Sequence, residues 1–118
     1  MNVIGTRPDA WWKDRHQAMV KLVDKLERWA AATGEDVTVV FEQPPVPPIR
    51  STVIVVAHAP RPKRDSADDE IMRLLGEITE PGTIRVVTSD IWLSDRVRAR
   101  GATVEPAAPF RAQVEEEL

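Results

Sequence analysis

A chain of 118 residues, 42% apolar and 30% charged, has material for one domain with a single core and not for two. The absence of cysteine excludes a disulfide framework, a thiolate metal site and a thiol nucleophile, and suits a reducing setting such as the cytoplasm. Sixteen Lys and Arg against nineteen Asp and Glu leave a net charge of −3, so no overall basic field draws nucleic acid, and a polyanion must be met locally.

In chain order, Met1-Asn2-Val3-Ile4-Gly5 reaches the first loop signal almost at once, and no basic segment followed by an apolar one marks a targeting sequence. Met19, Leu22, Val23, Leu26, Trp29 and Ala30 recur at three- and four-residue spacing, which predicts a helix over Asp14–Ala32 closed by Thr33-Gly34. Val37–Phe41 and Thr52–Ala57 are β-branched, nearly continuous apolar runs, the pattern of central strands covered on both faces. The second is the longest apolar run and falls far short of the roughly 20 residues of a membrane span. Between them Gln43-Pro44-Pro45-Val46-Pro47-Pro48 lacks amide donors and reads as a loop, or less simply as a PxxP ligand.

Ser66 opens a helix with Ile71, Leu74, Leu75 and Ile78 on one face, stopped by Pro81-Gly82. Ile84–Thr88 follows as a strand, Asp90–Arg100 as a helix with Leu93 and Val97 inward, and Ala102–Val104 as a short strand after Gly101. Phe110–Leu118 reads as a last helix, its Glu115-Glu116-Glu117 run a solvated surface. Strands alternating with helices imply an α/β sandwich: a mainly parallel sheet with right-handed crossovers and helices on both faces.

Functional crevices in such sheets lie beyond the carboxyl ends of the strands, and acids collect there. Glu42 follows one strand, Asp90 follows another, and Asp68, Asp69 and Glu70 open the helix after a third. Carboxylates crowded together suit a hard divalent cation such as Mg²⁺ or Mn²⁺, which would serve phosphoryl chemistry. Each acid also has a structural reading. Asp69 completes a capping box with Ser66, Asp90 can simply start a helix, and Glu42 can be a loop acid.

Other chemistries find little support. No phosphate-loop or GxGxxG pattern occurs, His16 and His58 are isolated, and Ser89 has no base beside it in sequence. Arg61, Lys63 and Arg64 before the acidic helix, and Arg96, Arg98 and Arg100 after Asp90, can hold a phosphodiester backbone or belong to a solvated surface. Trp11 and Trp12 beside Arg7 offer stacking for an unpaired base, although at least one suits a core anchor; Trp29 lies on the core stripe, and the spacing leaves Trp92 undecided.

Several stretches are similar in order to one family over nearly the whole chain. They are Asn2 through Arg15, Val39-Val40-Phe41-Glu42, Ser66-Ala67-Asp68-Asp69-Glu70-Ile71, Val86-Val87-Thr88-Ser89-Asp90 and Arg96 through Ala102. They resemble the YacP-like branch of the NYN domains, which are PIN-like. The resemblance implies a PIN-like Rossmannoid sheet and a metal-dependent endoribonuclease using Mg²⁺ or Mn²⁺, in some members directed at ribosome-associated messenger RNA. It would make Asp68, Asp69 and Asp90 the metal-site acids, with Glu42 where relatives often have Asp. Asn2 matches the asparagine after the family's first catalytic aspartate. Arg7, Trp12, Arg61, Lys63, Arg64 and Arg96 would line the RNA.

The sequence departs from the family at its start, where an apolar strand ending in Asp-Gly-x-Asn is normal and this chain begins at the x. The expectation is a single domain shortened at its N-terminus. It would lack the middle strand of the sheet and its aspartate, leaving two central edges unpaired and inviting a homodimer by strand exchange. The alternatives to a ribonuclease are a catalytically weak or inactive RNA-binding module and a structural partner protein whose acids only cap helices.

Overall fold

Hydrophobic periodicity turns into structure most directly in β2, Val37–Phe41, all five residues of which are buried. A computed structural model describes residues 2–5, 15–42, 44–59 and 66–116. Around β2 the chain runs β1 (Asn2–Gly5), α1 (Arg15–Thr33), β3 (Val55–His58), α2 (Ser66–Gly76), β4 (Arg85–Val87), α3 (Ile91–Ala99), β5 (Thr103–Glu105) and α4 (Ala107–Glu116). The five strands form one parallel sheet in the order β3-β2-β1-β4-β5.

The two-residue period of the strands divides the core. Val37, Val39 and Phe41 of β2 and Val87 of β4 join Ile4 beneath α1 and α4, where Met19, Val23, Leu26, Trp29, Phe110 and Val114 meet them. Val40 and Val86 point the other way, into Ala67, Ile71 and Leu75 of α2 and Leu93 and Val97 of α3. The expected sandwich with helices on both faces is therefore present. Trp29 and Phe110 meet edge to face at 5.0 Å, tying α4 to α1. Arg85 shares this layer, its guanidinium carbon 6.0 Å from the Trp29 ring centre and 5.8 Å from that of Phe110. Its Nη1 also lies 2.7 Å from Glu105 Oε2, in an ion pair without hydrogen-bond alignment.

Helix ends follow the glycines. Gly34 (φ 75°) and Gly101 (φ 93°) adopt the left-handed conformation that terminates α1 and α3, and their amides donate to Ala30 O and Arg98 O. α2 stops at Gly76, before Pro81-Gly82, which instead form a separate 3-10 turn; Ile78 leaves the helix yet still packs on the α2–α3 layer.

Three expectations are corrected. The run Thr52–Ala57 is not a central strand: the Ser51 hydroxyl accepts from the amides of Val53 and Ile54 and donates to Glu27, which holds a turn and delays the strand until Val55. β3 is then an edge strand with Val55 58% exposed. The tail helix begins at Ala107 rather than Phe110, because the Ser89 hydroxyl accepts the Ala107 amide at 3.0 Å and satisfies a donor of its first turn. Finally, the middle of the sheet is filled. β1 pairs Asn2–Gly5 with Val37–Val40 on one side and Asn2–Ile4 with Arg85–Val87 on the other, so the two central edges expected to stand open are hydrogen-bonded.

Candidate nucleic-acid interface

The strand order reverses between β1 and β4, and the crevice past the carboxyl ends of strands at such a reversal is where open α/β sheets bind ligands. On the β4 side the edge is built by Thr88-Ser89-Asp90. Thr88 N donates to Glu105 O at 3.0 Å, and the Thr88 hydroxyl accepts the Asp90 amide at 3.1 Å. Asp90 keeps an extended backbone (φ −82°, ψ 121°), and its Oδ1 accepts the Leu93 amide at 2.8 Å. That is an N-cap, reinforced by the Ser94 amide and hydroxyl donating to Asp90 O. With Ser89 capping α4, one three-residue word fixes the starts of two helices.

The remaining acids sit on the α2 side. Glu42 directly follows β2 and is only 9% exposed. Asp68 is half-buried in the first turn of α2, while Asp69 is exposed, with Oδ1 3.9 Å from Arg96 Nη1 on α3. Glu70, which the sequence marks only as another helix-start acid, is buried. Arg73 grips it with Nε–Oε1 and Nη2–Oε2 bonds of 2.8 and 2.7 Å and also reaches Glu77 at 2.7 Å. The Arg73 hydrogen bonds hold the Glu70 carboxyl below the usual glutamate range, against an opposing push from burial. The same contacts raise the affinity of Arg73 for its proton.

Asp68, Asp69 and Asp90 thus share an edge without forming one centre. Among the described residues no group of three or more His, Asp or Glu side chains could hold a metal ion. The physical reason is local: the Asp90 carboxylate turns back to its own helix, and Asp69 faces a cation on α3. Asn2 is displaced further. Its register opposite Val37 and Arg85 puts it at the amino end of β1, three residues, or about 10 Å, from the carboxyl edge.

Of the expected RNA-contacting residues, Arg96 is on the exposed surface of α3 near the acidic turn. Arg7, Trp12, Arg61, Lys63 and Arg64 lie outside the described residues. His58 ends β3 with its ring nitrogen 2.9 Å from Ala59 O, and His16 joins α1 to the proline loop through Pro47 O at 2.8 Å.

The spacing of acids gives no hint of a cavity of about 760 Å³ beneath the carboxyl edge, on the opposite face of the sheet from α2. Its walls come from α1, α4 and the end of β4, and Thr88, Ser89, Asp90, Ile91 and Trp92 border it. Trp92 is 81% exposed and Ile91 74%. One signal was available: inward Leu93 and Val97 force Trp92 onto the outer side of α3.

The likeness to known proteins agrees with this fold. The chain superposes on the crystal structure of Rae1 (YacP) from Bacillus subtilis with a TM-score of 0.80 at 21% identity, covering 99% of this chain and 74% of that one. A tryptophan-to-leucine variant of the same Bacillus subtilis protein gives 0.73 at 22% identity, with 99% and 77% covered. Comparison with curated proteins finds no match. The description of the YacP-like NYN domain matches residues 2–117. The chain therefore belongs to the YacP-like NYN domain family, which points to a nuclease-type, RNA-related function.

Proposed function

We propose that this domain binds single-stranded RNA across the carboxyl edge of its sheet, at the β1/β4 reversal. The observation that supports this most is a coincidence of place: the reversal, the doubly capping Thr88-Ser89-Asp90 loop and the cavity rimmed by Trp92 occur together at one edge. Arg96 supplies a cation for the phosphodiester backbone on the α3 surface, and the two caps keep the loop rigid beneath it.

NYN and PIN-like nucleases generally depend on divalent metal ions. The carboxylates of Glu42, Asp68, Asp69 and Asp90, as the described residues place them, do not fit such an ion, because no three of them converge. What the chain's own residues do is bind and orient the strand.

A second reading is favoured by the family match over residues 2–117. It is an endoribonuclease in which Asp68, Asp69 and Asp90, with Glu42 alongside, would hold Mg²⁺ or Mn²⁺ only in a closer arrangement than the described one, and the ion would supply an activated water for phosphodiester hydrolysis. The two readings separate in one experiment on labelled single-stranded RNA, with binding measured in chelator and cleavage measured with Mn²⁺. Binding without cleavage supports the RNA-binding module. Manganese-dependent cleavage that Asp68→Asn with Asp90→Asn abolishes, while binding persists, supports the enzyme. A protein that neither binds nor cuts RNA refutes both.

A further inference from the structure

We infer that the cavity between α1 and α4 is a subsite for an unstacked nucleobase of single-stranded RNA, with Trp92 as the stacking platform at its mouth and Lys21 and Arg111 meeting the adjoining phosphates. The inference rests on the RNA reading above and adds a residue set that neither the family's motifs nor the acidic edge contains.

Size and lining suit a base. At about 760 Å³ the cavity lies within the usual range of small-ligand sites. Ile4, Leu22, Phe41, Val87, Phe110 and Val114 make its walls apolar, as a base face requires. Polar groups gather at the rim, where Thr88 and Asp90 border it from the switch-point loop. That loop is common to both faces of the edge, so a strand crossing it can turn one base under the sheet toward α1 and α4.

The rim also explains a costly exposure. Trp92, 81% exposed, and Ile91, 74% exposed, present adjacent large apolar surfaces to water on the first turn of α3. Exposed aromatic side chains are the platforms on which unpaired bases stack, and Trp92 borders the apolar cavity. Charge points the same way. Lys25 is committed to Glu115 at 2.8 Å, but Lys21 and Arg111, which also line the cavity, make no ion pair among the described residues. Two cations on the lining of a cavity that Trp92 also borders complement a phosphate–base–phosphate repeat and not a neutral apolar ligand.

The test measures binding of the intact chain, in chelator, to labelled oligoadenylate and to an abasic oligomer with the same ribose-phosphate backbone. Trp92→Ala is expected to weaken oligoadenylate binding about tenfold and to leave the abasic oligomer unchanged, whereas Trp92→Phe retains most of the affinity. Lys21→Gln with Arg111→Gln is expected to weaken both oligomers and flatten the salt dependence. Trp92 is exposed and alanine favours helix, so an unchanged melting temperature accompanies the loss. The inference is overturned alone if wild type binds RNA but Trp92→Ala matches it, or loses equally on both oligomers. It falls together with the RNA reading if wild type binds neither.

Discussion

Asp90 is where a structural role and a chemical role meet in one side chain, and two substitutions pull them apart. In the folded protein Oδ1 accepts the Leu93 amide at 2.8 Å, satisfying one of the donors that the start of a helix leaves unpaired. α3 is only nine residues long, too short to persist without its cap and its packing through Leu93 and Val97. Asp90→Ala removes the acceptor and is expected to cost about 1 kcal/mol. For a chain of 118 residues the unfolding entropy is about 250 cal/mol/K, so that loss lowers the melting temperature by about 4 °C. Asp90→Asn keeps an acceptor in the same place and gives up the attraction of a charge for the helix N-terminus, about 0.5 kcal/mol at a partly solvated site. Thermal unfolding followed by circular dichroism at neutral pH, with RNA binding and cleavage measured on the same samples, reads both roles. A near-native melting temperature for Asp90→Asn combined with lost cleavage assigns the carboxylate a chemical role beyond the cap. The capping argument is refuted if Asp90→Ala melts with wild type, or if Asp90→Asn is as damaging as Asp90→Ala.

Two further predictions concern the scaffold. Arg73 holds the folded pKa of Glu70 below its unfolded value, so the stability this gives is present above the unfolded pKa and is lost as pH falls through the depressed folded one. Glu70→Gln should therefore melt below wild type at neutral pH and converge with it in acid, as a melting series from about pH 7 to pH 3 would show; parallel curves would remove the linkage. At Gly34 (φ 75°) a Cβ would meet nothing within 4 Å, so Gly34→Ala tests backbone strain alone. It should cost about 1 kcal/mol by chemical denaturation, with Gly34→Asn costing less.

Local pattern determines much of this molecule without reference to any tertiary contact. The helical stripe from Met19 to Ala30, the buried run of β2 and the inward Leu93 and Val97 are repeats of the backbone's own periods, and each became the element its period requires. The acids at strand ends were legible for the same reason, since strand direction and crossover handedness fix which end of the sheet Glu42, Asp68, Asp69 and Asp90 share. Whether those acids converge was not legible. It depends on side-chain direction, and Asp90 follows the nearest unpaired amide while Asp69 faces a cation contributed by another helix.

Tertiary structure likewise decided that Thr52–Ala57 is half turn and half edge strand. An apolar run reads alike whether or not another strand covers it, and the Ser51 hydroxyl that shortens it is one side chain. It placed Asn2 at the amino end of β1 through register, which no local pattern encodes. The cavity beneath the carboxyl edge belongs to the same class. It exists because α4, from the end of the chain, packs against α1, from near the beginning, and only that long-range contact gives the exposed Trp92 an apolar recess beside it.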